Sequence, residues 1–203
     1  KGYKRLNSIS AMKLSNDGLS VTGSKIDIVC DCLGVAGGWT PAVHLFTQSG
    51  GKLTFDETNK VFLPNKYPSD QISVGSCNGD FKIKEIINNL SINLKEFLNI
   101  EKTDFDNVTV ESEDDNSKRN IWLLPSDKPL GKTKPFVDYQ NDATAKDIKL
   151  ALREGFRSIE HVKRYTTTGM GTDQGKLGNM HALGIIADTA DVKMGELGTT
   201  TFR

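Results

Sequence analysis

The sequence predicts an α/β fold followed by a small α-helical module, and three observations lead to that reading. Residues 1–92 place apolar side chains in short period-two runs broken by glycine turns, the pattern of strands. Residues 134–203 place them at helical spacing behind cap residues. Between them, 93–133 carries 9 acidic against 6 basic side chains and reads as a linker or insertion.

Taken in order, Asn16-Asp17-Gly18 marks a turn between strands Ile9–Leu14 and Leu19–Thr22. A strand Ile26–Leu33 follows, with Ile26, Ile28, Cys30 and Cys32 on one face. It runs into Gly34–Gly38 and Trp39-Thr40-Pro41, a setting in which backbone can approach a ligand closely. Short strands are expected at Lys52–Phe55 and Val61–Leu63, then a last one from Gln71 into the turn Gly75-Ser76-Cys77-Asn78-Gly79. A helix from about Asp80 to Leu90 turns Phe81, Ile83, Ile86, Ile87 and Leu90 inward. In the linker, Val108–Glu111 and Ile121–Leu124 are candidate strands, and Glu111-Ser112-Glu113-Asp114-Asp115 reads as a solvated loop tip, since like charges repel.

The last block opens a helix at Thr144-Ala145-Lys146-Asp147, where hydroxyl and carboxylate meet first-turn amides. Ala145, Ile148 and Leu152 form its inner face and Gly155 stops it. Ser158 caps a second helix with Ile159 and Val162 inward; Thr166–Gly175 is a loop; a third helix covers about Asn179 to Asp188.

Composition excludes several classes. The chain has 203 residues, 36% apolar and 26% charged, too apolar for disorder. Zero net charge leaves no basic field for nucleic acid. No run approaches the roughly 20 apolar residues of a membrane span. Three cysteines form no disulfide framework, which points to a reducing, cytoplasmic setting. The start at Lys1-Gly2-Tyr3-Lys4 and the polar close at Gly198–Arg203 read as an internal piece of a longer polypeptide.

Few residues advertise chemistry. Cys30 and Cys32 have C-x-C spacing with no second pair to complete a tetrahedral metal site, so they read as buried structural thiols. His44, His161 and His181 lack metal-binding spacing, although His44 follows the glycine loop. Gly169-Met170-Gly171 with Gly175 misses the dinucleotide fingerprint by one residue and follows a helix where that motif follows a strand; it reads as a tight interhelical loop. No catalytic acid, base or nucleophile stands out.

Longer strings go further. The run Gly37–Gly51 (Gly-Gly-Trp-Thr-Pro-Ala-Val-His-Leu-Phe-Thr-Gln-Ser-Gly-Gly) resembles the alpha subunit of heterotetrameric sarcosine oxidase. So do Phe136–Ile148, Arg153–His161, the string Lys163–Lys176 and the close Gly198–Arg203, all in that family's order. The resemblance implies the C-terminal part of a disulfide-reductase-like FAD/NAD(P)-binding fold in 1–92 and a small helical module in 134–203; a C-terminal folate-binding domain would lie outside the chain. It implies NAD as the dinucleotide here, with FAD and FMN elsewhere in the complex and tetrahydrofolate in the absent domain. In related disulfide reductases the final strand-turn sets an Asp on the flavin ribityl chain; here Ser76 takes that place. Gly75, Ser76, Cys77, Lys82 and Lys84 are thereby implied to face the dinucleotide, since free amides at a helix start suit phosphate oxygens.

The module also resembles bacterioferritin-associated ferredoxin-like domains, which hold an iron–sulfur cluster on four cysteines. The matching positions here are Asp138, Gln140, Asp173 and Gly178, none able to supply thiolate, so the expectation is no iron–sulfur cluster. The implied partners are the other subunits of an oxidase of sarcosine, with neither nucleic acid nor membrane. The implied role of this piece is scaffold, subunit contact and one wall of an NAD site. A module of a related proline, opine or amine dehydrogenase, or an adaptor without catalysis, is the alternative.

Overall fold

In the computed structural model, the structure describes residues 1–35, 37–68, 70–110 and 120–199. They divide into two compact units, 1–38 with 119–193 and 39–118 with 194–203, which cut across the three sequence blocks.

The first unit begins with an antiparallel hairpin of β1 (Ser8–Leu14) and β2 (Val21–Val29), in register from Ser8↔Val29 to Leu14↔Val21 with an irregularity between Ala11 and Lys13. Its reversal follows the Asn-Asp-Gly signal: Asp17 Oδ1 accepts the Leu19 N–H at 3.0 Å, and Gly18 takes φ +76°.

After the second unit's elements, the chain returns with a small hairpin of β5 (Phe136–Asp138) and β6 (Ala143–Thr144), then three helices. Helix α3 (Ala145–Arg153) starts where the sequence predicts: the Asp147 carboxylate accepts the Thr144 N–H at 2.8 Å and its hydroxyl at 2.7 Å. Helix α4 (Ile159–Thr166) ends as Thr167 turns left-handed at φ +61°. Helix α5 (Asn179–Ala190) is the central element, with Ala182 to Ala187 all buried. Ile148, Val162, Ile185 and Ile186 are fully buried between these helices, each worth about 1.5–3 kcal/mol of transfer free energy. The Trp122 ring lies over Gly184, occupying the space a Cβ would need, and meets His181 edge-on at 6.2 Å.

The second unit contains α1 (His44–Gln48), the antiparallel pair β3 (Lys52–Asp56) and β4 (Val61–Lys66), a 3-10 turn at Gly75–Asn78, α2 (Ile83–Leu98) and α6 (Met194–Leu197). Its core is aromatic: Phe55 meets Phe62, and Phe46 meets Tyr67, each at 4.9 Å and edge-on. Buried Ser91 on α2 donates to Asp106 at 2.5 Å and Lys95 pairs with the same carboxylate at 2.7 Å, fixing the 103–106 turn on the helix.

The mixed α/β character is present, but all strand pairing among the described residues is antiparallel and two-stranded. Several expected boundaries move. The strand expected over Ile26–Leu33 ends at Val29, leaving Cys32 exposed and Cys30 half-buried, so the pair is not buried. Gln71–Val74 forms no strand, because Gly75 at φ +73° turns the chain at once into the 3-10 turn. Helix α2 starts three residues late, after Lys82 in an extended conformation, and continues to Leu98, where Asn99 at φ +53° supplies the stop. Ile83 is exposed rather than inward. Residues 108–110 and 121–124 are not strands, whereas α1 and the β5–β6 pair are additional. Glu111–Asp115 lies outside the described residues.

The Trp122–Gly184 packing yields a direct expectation. Gly184→Ala forces the indole or the helix to shift and lowers unfolding free energy by about 1–3 kcal/mol, the usual cost of overpacking, read by denaturant titration. An unchanged midpoint would show that the indole moves freely.

Candidate functional site

The turn implied to face a dinucleotide is well formed. Gly75 is buried at φ +73°, and its carbonyl accepts the Asp80 N–H at 3.2 Å while the Ser76 carbonyl accepts that of Gly79 at 3.2 Å. Cys77 Sγ donates to the Val74 carbonyl at 3.0 Å, so this thiol is engaged in holding the turn. Gly79, at φ +91°, leaves room for Leu63 of β4, which would lie 2.6 Å from a Cβ there. Gly75, Ser76 and Cys77 therefore share one turn, with Ser76 exposed. Lys82 and Lys84 stand at the head of α2; Lys82 lies 3.8 Å from Glu85, and Lys84 is exposed.

Sequence reading missed Asp80, which joins the turn to the helix. Asn89 donates to its Oδ1 at 3.0 Å. Its Oδ2 is shielded from solvent and accepts no hydrogen bond among the described residues. A carboxylate oxygen in that state is costly. The sequence places Asp80 only as the start of a helix after the Gly75–Gly79 turn.

A second cluster occupies the four positions compared with cluster cysteines. Asp138, at the end of β5, is buried and accepts the N–H groups of Gln140 at 2.8 Å, Asn141 at 2.9 Å and Gly169 at 2.7 Å. Burial pushes its carboxyl up, but the amides of Asn141, Gly169 and Gln140 outweigh burial and hold it below the ordinary value. Gln140 Oε1 accepts from the Thr172 N–H at 2.6 Å and hydroxyl at 2.9 Å, and it fills the space a side chain on Gly171 would take. Asp173 Oδ1 accepts the Gly175 N–H at 3.2 Å. A Cβ on Gly178 would stand 2.5 Å from the Val137 carbonyl. Gly169 and Gly175 both make room for the Asn179 side chain. The glycine string thus serves close packing of its own loop, and no phosphate-cradling role is visible in it.

The fold and these two clusters define a class: a mixed α/β segment with a clasped three-helix module. The Sarcosine oxidase A3 domain family matches residues 132–203. The whole chain is 36% identical over 214 aligned residues to the sarcosine oxidase subunit alpha of Rhizobium meliloti (strain 1021), covering 20% of that protein. It is 34% identical to the subunit of the same name in Corynebacterium sp. (strain P-1), over 85% of this chain and 18% of that one. The chain is thus similar along its whole length to sarcosine oxidase alpha subunits, with residues 132–203 matching that enzyme's A3 domain family, and spans about a fifth of the length of the curated relatives it matches. Among solved structures, an L-proline dehydrogenase from P. horikoshii shares the fold, with TM-score 0.65 at 21% identity over 100% of this chain and 40% of that chain.

The clasp generates a pH expectation. Asp138 has a folded pKa below its unfolded value of about 3.9. Its stabilisation is fully present above that unfolded value and is lost as pH falls through the lower folded one. Asp138→Ala, which strands three amides, lowers stability by about 3 kcal/mol near neutral pH. It also flattens the decline of stability below about pH 4. A variant that unfolds like wild type across both ranges would refute the clasp.

Proposed function

We propose that this chain is the scaffold segment of a sarcosine oxidase alpha subunit, supplying one wall of an NAD site and contacts to the other subunits of the complex. The observation that carries this reading is the similarity to sarcosine oxidase alpha subunits along the whole chain. The turn at Gly75–Asp80 supports the nucleotide part through the unsatisfied acceptor on Asp80. On this reading 1–92 is the C-terminal part of a disulfide-reductase-like dinucleotide-binding region, 93–133 a linker, and 134–203 the helical module.

The full cytoplasmic heterotetramer would take sarcosine to glycine, oxidising its N-methyl group and reducing oxygen to hydrogen peroxide. The one-carbon unit would pass to tetrahydrofolate in a domain beyond this segment. FAD and FMN, in other parts of the complex, supply the redox chemistry when bound. This chain's residues would bind and orient: Asp80 and the exposed Ser76 as hydrogen-bonding groups for ribose, and Lys82 and Lys84 as cations for the pyrophosphate. The clasped module would hold its shape through Asp138 and Gln140, without an iron–sulfur cluster, and act by packing.

The similarity in fold to a proline dehydrogenase favours a second reading, a module of a related amine dehydrogenase. One experiment separates them. The full-length subunit, co-purified with its neighbours, releases peroxide with sarcosine on the first reading; on the second it releases none with sarcosine and oxidises proline or an opine instead. In the same preparation, NAD released by denaturation is quantified. Asp80→Ala weakens its retention about tenfold, a loss of roughly 1.4 kcal/mol for one hydrogen bond. Wild-type subunit free of NAD would remove the nucleotide assignment.

A further inference from the structure

The C-x-C pair Cys30 and Cys32 lies outside the core. Pairing of β2 ends at Val29, and the next backbone tie is the Cys30 N–H, which donates to the Asn7 carbonyl at 3.2 Å. The chain then bends at Asp31, between the two thiols. Among the described residues, no backbone hydrogen bond holds 31–35. Cys30 is half-buried and Cys32 exposed, and both are free thiols. No group of side chains that could hold a metal gathers around them among the described residues. Residues two apart in a straight strand stand about 6.4–6.8 Å apart with side chains on the same side, the upper end of the roughly 4.4–6.8 Å that a disulfide spans between Cα atoms. A bend at the middle residue shortens that separation, and a segment without ladder bonds can close the ring without breaking one.

We propose that Cys30 and Cys32 are a peroxide-oxidised dithiol, a reversible modification site at the exit of β2. Exposed Cys32 reacts first: its thiolate attacks one oxygen of hydrogen peroxide, the O–O bond breaks, and the sulfenic acid forms as hydroxide leaves and is protonated to water. The Cys30 thiolate then attacks the Cys32 sulfur, the S–OH bond breaks, a second water leaves and the S–S bond remains. The two sulfurs together give two electrons to the peroxide, and a dithiol reductant reverses the change. The product is a ring across Asp31 that fixes the direction in which the chain leaves β2 for the glycine run 34–38. Exposure selects this pair over Cys77, which is half-buried and donates through Sγ to the Val74 carbonyl at 3.0 Å. Only the natural source of the peroxide rests on the oxidase reading.

The test uses the full-length subunit, reduced, freed of reductant and exposed to hydrogen peroxide without sarcosine, then alkylated under denaturing conditions and digested with trypsin. Both thiols fall in one tryptic peptide, Ile26–Lys52, which has no other cysteine. The expected product is that peptide without alkylation and lighter by the two thiol hydrogens, formed at least about tenfold faster than Cys77 is oxidised, because reaction follows access. Dithiothreitol returns it to a form that takes two alkyl groups. In Cys30→Ser, which removes the resolving thiol, Cys32 accumulates as a sulfenic acid that dimedone traps. A peptide that stays doubly alkylated overturns the proposal. So does a disulfide from either cysteine to another part of the subunit, or Cys32 passing to sulfinic acid with Cys30 still free. Because the peroxide is added, a subunit that oxidises proline or an opine in place of sarcosine forms the same ring, and failure of the oxidase reading is seen separately from failure of this one.

Discussion

Asp138 accepts three backbone N–H groups, and the shape of the helical unit depends on that one carboxylate. Two of the amides, from Gln140 and Asn141, curl the chain after β5. The third, from Gly169, lies 31 residues away in the loop between α4 and α5. Buried amides must find acceptors, and a charged acceptor binds them more strongly than a neutral one. The carboxylate thus ties the loop between α4 and α5 to the turn after β5.

The neighbouring residues follow from that choice. With Asp138 holding Gly169, Gln140 reaches Thr172, and Asn179 fills the space left by Gly169 and Gly175. The glycines are required by the approach of these side chains and of the Val137 carbonyl. This is why a string that looks like a phosphate loop contributes packing, while the unpartnered carboxylate oxygen falls in the other unit, at Asp80. The two glycine-rich stretches differ in what meets them: self-complementary side chains in one, an unsatisfied acid in the other.

Much of this was legible in the sequence, where the signals are local. The Asn-Asp-Gly reversal, the Thr144/Asp147 cap and the inner faces of α3 and α4 depend on neighbours within a few residues, and they stand as read. What was not legible depends on distant partners. Strand Gln71–Val74 looked extended by its side chains, yet the backbone turns at Gly75, which packs beneath Ile86. Cys30 and Cys32 alternate correctly for a strand, but pairing stops at Val29, so alternation no longer implies burial. Asp80 reads in sequence only as a helix start, because its unpartnered Oδ2 is a property of burial rather than of spacing. The family strings located the segment and left these side-chain roles unassigned.

Amide hydrogen exchange at Gly169 tests the clasp most directly. If the Asp138 carboxylate organises this unit, the Gly169 amide exchanges only on the opening that also exposes the core of α5, and Asp138→Asn speeds Gly169 selectively. Rapid exchange at Gly169 in the wild type, with Ile185 and Ile186 still protected, would contradict the account.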